Sequence, residues 1–251
     1  MNQTFQKLIK DAEKTPFNGW DFTYLSETGR MASEPLNWCY TTLLLPYLIE
    51  SKCVLDMGTG GGEYLSLLAP FHGRMFATEG YEPNVSIARN TLEPLGVTVK
   101  EIQSDDNLPF MNNQFDLIMN KHESFEPKEI DRILIPGGVF VTQQVGGKDL
   151  GGLNSRLGAE TGNEFAHWSL KFAREQLTSN GFIILKEEEQ FYKTRFYDIG
   201  AIIYYLKAIP WQIPGFQSEK YAEPLAEINK EIEHKGYCDF HSHRFLLIAS
   251  K

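Results

Sequence analysis

Four short stretches of this 251-residue chain carry residue types suited to chemistry on a small polar ligand. The first is Val54-Leu55-Asp56-Met57-Gly58-Thr59-Gly60-Gly61-Gly62-Glu63, an apolar run that ends in a glycine-rich turn. Glycines at such a place let the backbone turn tightly and approach a ligand closely. The second is Glu79, which ends the next apolar run 21 residues beyond Gly58. That is the offset at which an acid reaches a ribose diol in nucleotide-binding α/β folds. An ionised carboxylate only accepts hydrogen bonds, so it matches two neighbouring hydroxyl donors. The third is Ser104-Asp105-Asp106-Asn107-Leu108-Pro109-Phe110. Asp105 or Asp106 can accept from an exocyclic amine, and the Leu-Pro-Phe behind them can wall off an apolar ring. The fourth is Asn120-Lys121-His122-Glu123, in which His122 has the chemistry of a general base and equally that of a loop tie.

These stretches must be positioned by the elements around them. Cys53 to Met57, Met75 to Thr78, Val97 to Ile102, Phe115 to Met119, Val139 to Val145, Phe182 to Leu185 and Phe245 to Ala249 read as seven strands. Helical patterns fall between them, at Glu63 to Pro70, Pro83 to Leu95, Pro127 to Ile133 and Trp168 to Ser179. Pro136-Gly137-Gly138 reads as a turn. Strands alternating with helices imply an α/β fold, a doubly wound and mostly parallel seven-stranded sheet. In such a sheet the loops after the strands' carboxyl ends face the ligand. Residues 1–50 read as a helical cap with a loop from Pro16 to Ser33, and its second helix, Leu36 to Ile49, ends or breaks near Pro46. Residues 51–190 and 244–251 form the core, and 191–243 a helical insertion before the last strand, all within one domain.

The motifs and their order resemble the class I S-adenosylmethionine-dependent methyltransferases, in particular those acting on small molecules. The resemblance spans roughly Cys53 to Val145. It implies a Rossmann-like fold and S-adenosylmethionine as cofactor. It also implies that Asp56, Gly58, Thr59 and Gly60 run under the methionine part and that Glu79 with Gly80 holds the ribose. Asp105 or Asp106 would contact adenine, with Asn120 on the same side. The tract from Phe115 through Pro136-Gly137-Gly138 follows the family order. Gly80-Tyr81-Glu82-Pro83 departs from it by one residue between acid and proline.

A nicotinamide-dependent oxidoreductase is the alternative for a glycine turn of this kind. Such folds set a pyrophosphate at the first helix N-terminus and need a small residue at the third glycine position. Here that position is Glu63, whose charge and bulk oppose both. Asp56 and Glu63 suit a ligand carrying an ammonium and a sulfonium. A module that binds the cofactor without turnover is a third reading.

The formal net charge of −9 argues against a nucleic-acid partner. No apolar run reaches membrane-helix length. Three widely spaced cysteines and a polar N-terminus suit a reducing, cytoplasmic setting. His234, Cys238, Asp239, His241 and His243 are metal-ligand types, but their spacing fits no closed zinc site. The expected partner is therefore a small-molecule acceptor. Trp20, Tyr204 and Trp211 are the candidates to line its pocket, since such pockets are mostly apolar and aromatic with few polar groups.

Overall fold

The structure is a computed structural model that describes residues 3–17, 22–159 and 165–251. The helices are α1 (Gln3–Lys14), α2 (Thr23–Ser26), α3 (Tyr40–Glu50), α4 (Glu63–Ser66), α5 (Glu82–Leu92), α6 (Pro127–Ile133), α7 (Gly151–Leu157), α8 (Leu170–Ser179), α9 (Ile199–Ala208) and α10 (Ala222–Lys235). The strands are β1 (Met31–Ser33), β2 (Cys53–Met57), β3 (Arg74–Glu79), β4 (Val97–Glu101), β5 (Phe115–Lys121), β6 (Leu134–Val145), β7 (Ile183–Phe196) and β8 (Cys238–Ser250). The chain divides into two compact units. One comprises Asn37–Gly146, Trp168–Glu189 and Arg244–Lys251, the other Met1–Leu36, Gly147–His167 and Gln190–His243. Among the described residues no helix is long and apolar enough to cross a membrane.

In the first unit β2 to β6 pair in parallel, in the order β6-β5-β2-β3-β4, and the end of β8 adds to β6 antiparallel, from Val139↔Ser250 to Val145↔Arg244. A parallel sheet is covered on both faces, so its strands are apolar throughout rather than alternating. Every residue of β2 is buried. One face packs Leu55, Met57, Ile118 and Phe140 against α6 and α8. The other packs Val54, Leu117, Met119 and Val141 against α3 and α5. β3 enters beside β2 in the register Leu55↔Phe76, which sets the carboxyl ends of the two strands side by side.

The α/β reading is correct, and the sheet has eight strands rather than seven. The added strand, β1, lies inside the expected Pro16 to Ser33 loop. Its three residues are too few to show alternation, and it exists because Met31–Ser33 pair antiparallel with Thr194–Phe196. Helix α3 continues through Pro46 instead of breaking there. Pro136-Gly137-Gly138 is not a free turn but a kink within β6. Gly137 takes φ +78° there, its N–H donates to the Lys251 carbonyl, and the pairing with β5 shifts register between Phe115 and Leu117. Helix α7 carried no sequence expectation.

The second unit is built on α1, α7, α9, α10 and the short β1–β7 pair, around Phe5, Leu25, Leu153, Phe196, Ile202 and Leu225. Asp198 caps α9 by accepting from the Ala201 N–H (3.0 Å) and takes a two-pronged bond from Arg30 (2.7 and 2.6 Å). Lys207 donates to the Glu13 and Thr15 carbonyls (2.5 and 2.7 Å), closing the C-terminus of α1, where a positive charge is favourable.

Candidate cofactor site

The glycine turn follows β2 directly. Gly58, Gly60 and Gly62 all take positive φ (64°, 64° and 86°), a conformation that costs any residue with a Cβ roughly 1–2 kcal/mol. Two bonds fasten the turn to the end of β3. Thr59 N–H donates to the Thr78 carbonyl (2.9 Å) and Gly58 N–H to the Thr78 hydroxyl (3.4 Å). Glu79, the next residue, completes the join. Its Oε1 accepts from Tyr81 N–H (2.7 Å), and the backbone amides of Gly60 and Gly80 also act on its carboxylate. Burial raises its pKa and these amides oppose the rise. Asp56, Gly58, Thr59, Gly60, Glu79 and Gly80 are thus one constellation. A carboxylate offers about four acceptor positions and the Tyr81 bond occupies one on Oε1, so Glu79 keeps capacity for a hydroxyl pair.

Asp56 is 4% exposed at the end of β2, and burial pushes its pKa up to about 7, against the pull of Thr59 and Lys121. The Thr59 hydroxyl is buried without a hydrogen-bond partner.

Asp105 and Asp106 differ sharply. Asp106 is exposed and ties its own turn by accepting from the Ser104 hydroxyl (2.6 Å). Asp105 is partly buried. One of its oxygens accepts from the Ser124 hydroxyl, while the other, Oδ1, is buried without a partner, and burial raises the pKa. An orphaned buried acceptor costs about 1–3 kcal/mol until something donates to it. Behind it, Leu108 is held by its N–H to Glu129 Oε1 (2.6 Å). Glu129 pairs with Arg132, whose guanidinium donates to the Leu108 and Phe110 carbonyls (3.1 and 2.8 Å). This brace was not singled out in the sequence.

Asn120 is fully buried and its side chain is spent. Its Oδ1 accepts from Thr142 (2.9 Å) and Gln144 (2.7 Å), and its Nδ2 donates to the Ser124 carbonyl (3.3 Å). It braces the loop after β5 rather than presenting a group to a ligand.

His122 takes φ +68°, rare for a residue with a side chain, and its N–H donates to the Gln143 carbonyl (2.7 Å). The Trp38 indole, which can only donate, bonds Gln143 Oε1 (2.8 Å), so the Gln143 amide nitrogen must face His122 Nε2 (3.0 Å). Nε2 therefore accepts, and the neutral ring carries its proton on Nδ1. The surrounding protein, then the cations Arg244 and Lys121, hold this pKa well below the ordinary value, although the residue keeps an accessible edge. In this arrangement the exposed His122 is tied to Gln143 through Nε2, as the loop-tie reading expects.

Glu123 was not among the residues singled out. Its side chain lies on the glycine turn, where a Cβ on Gly58 would fall 2.6 Å from Glu123 Cβ. Burial, then Asp105, push its pKa up to about 7. The signal was within the Asn-Lys-His-Glu tract, but only a backbone with left-handed His122 aims Glu123 at the turn.

In the second unit Tyr204 is 2% exposed. It packs on Tyr24 (centroids 4.5 Å apart) and donates its hydroxyl to the Pro16 carbonyl (3.3 Å). It is a core residue, which corrects the expectation that it lines a pocket. Trp211 is 43% exposed, on a loop held by Gln212 Nε2 donating to Asn154 Oδ1 (2.7 Å) and Asn154 Nδ2 donating to the Gln212 backbone carbonyl (2.8 Å). Trp20 lies outside the described residues. Of the metal-ligand types near the C-terminus, Asp239 is engaged by Arg195 (2.7 and 2.8 Å) and His243 stacks on Phe191.

The family profile described as a methyltransferase domain matches residues 55–142, the span from β2 to β6 that carries this site. Protein-L-isoaspartate O-methyltransferase from Chlorobaculum tepidum is 29% identical over 162 residues, covering 64% of this chain and 75% of that protein. The same enzyme from Chlorobaculum parvum is 28% identical over 165 residues, covering 64% and 73%. Among solved structures, a proposed methyltransferase from Bacillus halodurans superposes with a TM-score of 0.60 at 18% identity, covering 84% of this chain and 98% of that one.

Proposed function

Because this chain belongs to the class I S-adenosylmethionine-dependent methyltransferases, we propose that the constellation around Glu79 holds S-adenosylmethionine and that the methyl group goes to a small, partly apolar acceptor. The observation that carries the cofactor assignment is the Glu79 carboxylate, sewn into the glycine turn with acceptor capacity to spare. Asp105 supports it, because its orphaned oxygen suits the exocyclic amine of adenine; Asp106, spent on its own turn, does not compete. Asp56 and the glycine turn would accommodate the methionine part.

When bound, the cofactor supplies a methyl group already activated on a sulfonium. The protein has to align the acceptor with it and exclude water. That division of labour fits a site whose one histidine is tied as a hydrogen-bond acceptor.

A cationic ligand favours the ionised form of nearby carboxyls. Asp56 and Glu123 both have pKa values raised to about 7, so each is largely protonated at pH 6 and must lose its proton to help hold the cofactor. S-adenosylmethionine affinity should therefore rise as pH climbs through 7, and binding near pH 6.5 should release protons. Calorimetry in buffers of different ionisation enthalpy measures that release. Uptake, or no exchange, contradicts the charge assignment. The ligand-free protein should behave oppositely: raised acid pKa values make it lose stability as pH rises from about 4 to about 7, with no further loss above.

Trp211, which exposes a large aromatic surface, is the candidate acceptor contact. The chain's net charge of −9 disfavours a nucleic-acid acceptor. A second reading, an isoaspartyl carboxylate on a protein, is favoured by the two Chlorobaculum relatives. Turnover measured as S-adenosylhomocysteine formed, over a metabolite library that includes isoaspartyl peptides, decides between them. Trp211→Ala should reduce acceptor turnover about tenfold with cofactor affinity intact, and unchanged acceptor kinetics would remove Trp211 from the acceptor side.

A further inference from the structure

Two charged side chains beside the glycine turn form no salt bridge among the described residues, and Lys121 faces only the buried acid Asp56 and Cys39 at longer range. Lys121 is the last residue of β5, and the pairing Met57↔Asn120 sets it level with Gly58. Its ammonium lies over the Tyr64 ring, 4.2 Å from the centroid, in the helix that follows the turn. It forms no salt bridge among the described residues, is only partly exposed, and has its pKa lowered chiefly by burial. Glu123, two residues on, lies against Gly58 and forms no salt bridge among the described residues either. Its Oε1 accepts only from its neighbour Ser124 (3.0 Å from N–H), and the charges around it are the acids Asp105 and Glu79. The left-handed turn at His122 holds the two apart. It is fixed by His122 N–H on the Gln143 carbonyl and by Gln144 Nε2 on the Glu123 carbonyl (2.8 Å).

Burying a charge without a partner is costly, and residues held this way in strained backbone concentrate at functional sites. A ligand carrying one negative and one positive group on a single carbon would compensate both. We propose that Lys121 and Glu123 recognise the amino-acid end of the cofactor, Lys121 taking the α-carboxylate and Glu123 the α-ammonium. This rests on the S-adenosylmethionine reading above.

Four ligands separate the parts. S-adenosylmethionine and S-adenosylhomocysteine keep both groups, decarboxylated S-adenosylmethionine lacks the carboxylate, and 5′-methylthioadenosine lacks both. The intact protein should bind S-adenosylhomocysteine at least about 100-fold more tightly than 5′-methylthioadenosine. Lys121→Met should weaken S-adenosylhomocysteine by about tenfold or more and leave the decarboxylated ligand unchanged. Glu123→Gln should weaken both, and neither variant should alter 5′-methylthioadenosine. Because Glu123→Gln removes an acid surrounded by Asp105 and Glu79, that ligand-free variant should melt no lower than the parent. Equal affinity of the parent for S-adenosylhomocysteine and 5′-methylthioadenosine overturns the proposal without any variant. So does normal S-adenosylhomocysteine binding in both variants, or a loss shared by 5′-methylthioadenosine. A parent that binds none of the four ligands refutes the cofactor reading itself.

Discussion

Glu79→Ala should lower S-adenosylmethionine affinity by about 10- to 100-fold, the loss of hydrogen bonds to a charged acceptor worth about 1.5–3 kcal/mol. The geometry adds to this. Glu79 accepts from Tyr81 N–H and acts on the amides of Gly60 and Gly80, so the substitution also loosens the turn that carries the methionine part. Glu79→Gln keeps one acceptor oxygen and should fall between the parent and the alanine variant. Calorimetric titration of folded protein measures both. Parental affinity in Glu79→Ala would remove the carboxylate from the site.

The second large effect is on stability. Asn120→Ala should cost about 2–4 kcal/mol, because it strips acceptors from the buried Thr142 hydroxyl and Gln144 amide and a donor from the Ser124 carbonyl. Gln144 keeps bonds to the Glu123 carbonyl and to Thr142, so the loop after β5 should loosen without detaching. Denaturant unfolding gives the number. A change below about 0.5 kcal/mol would mean that the network does not hold the loop.

The parts of this molecule legible in its sequence are those governed by local rules. The glycine turn, the acid 21 residues on and the strand–helix alternation depend on positive φ, short-range spacing and apolar periodicity. β1 was hidden because three residues become a strand only when β7 pairs with them. Tyr204 was misjudged because an aromatic stretch lines a pocket or fills a core with the same composition, and only burial tells the two apart. Asp105 could not be told from Asp106 until one carboxylate was found spent on its own turn. Glu123 and Lys121 stand in the Asn-Lys-His-Glu tract, where histidine is the residue type with the more familiar chemistry. What counts there is which charge lacks a partner, a property of three-dimensional neighbours.

The second unit is assembled from Met1–Leu36, Gly147–His167 and Gln190–His243, and this discontinuity has a consequence for biosynthesis. Helix α1 is made first, yet its packing partner α9 lies in the last of the three segments. Roughly 185 residues must be translated between them, which at about 5–20 residues per second takes on the order of 10–40 s. Throughout that interval the apolar stripe of α1, with Phe5, Leu8 and Ile9, waits on the ribosome for a surface not yet synthesised, while the strands from β2 to β6 emerge in pairing order and can already begin to form their sheet.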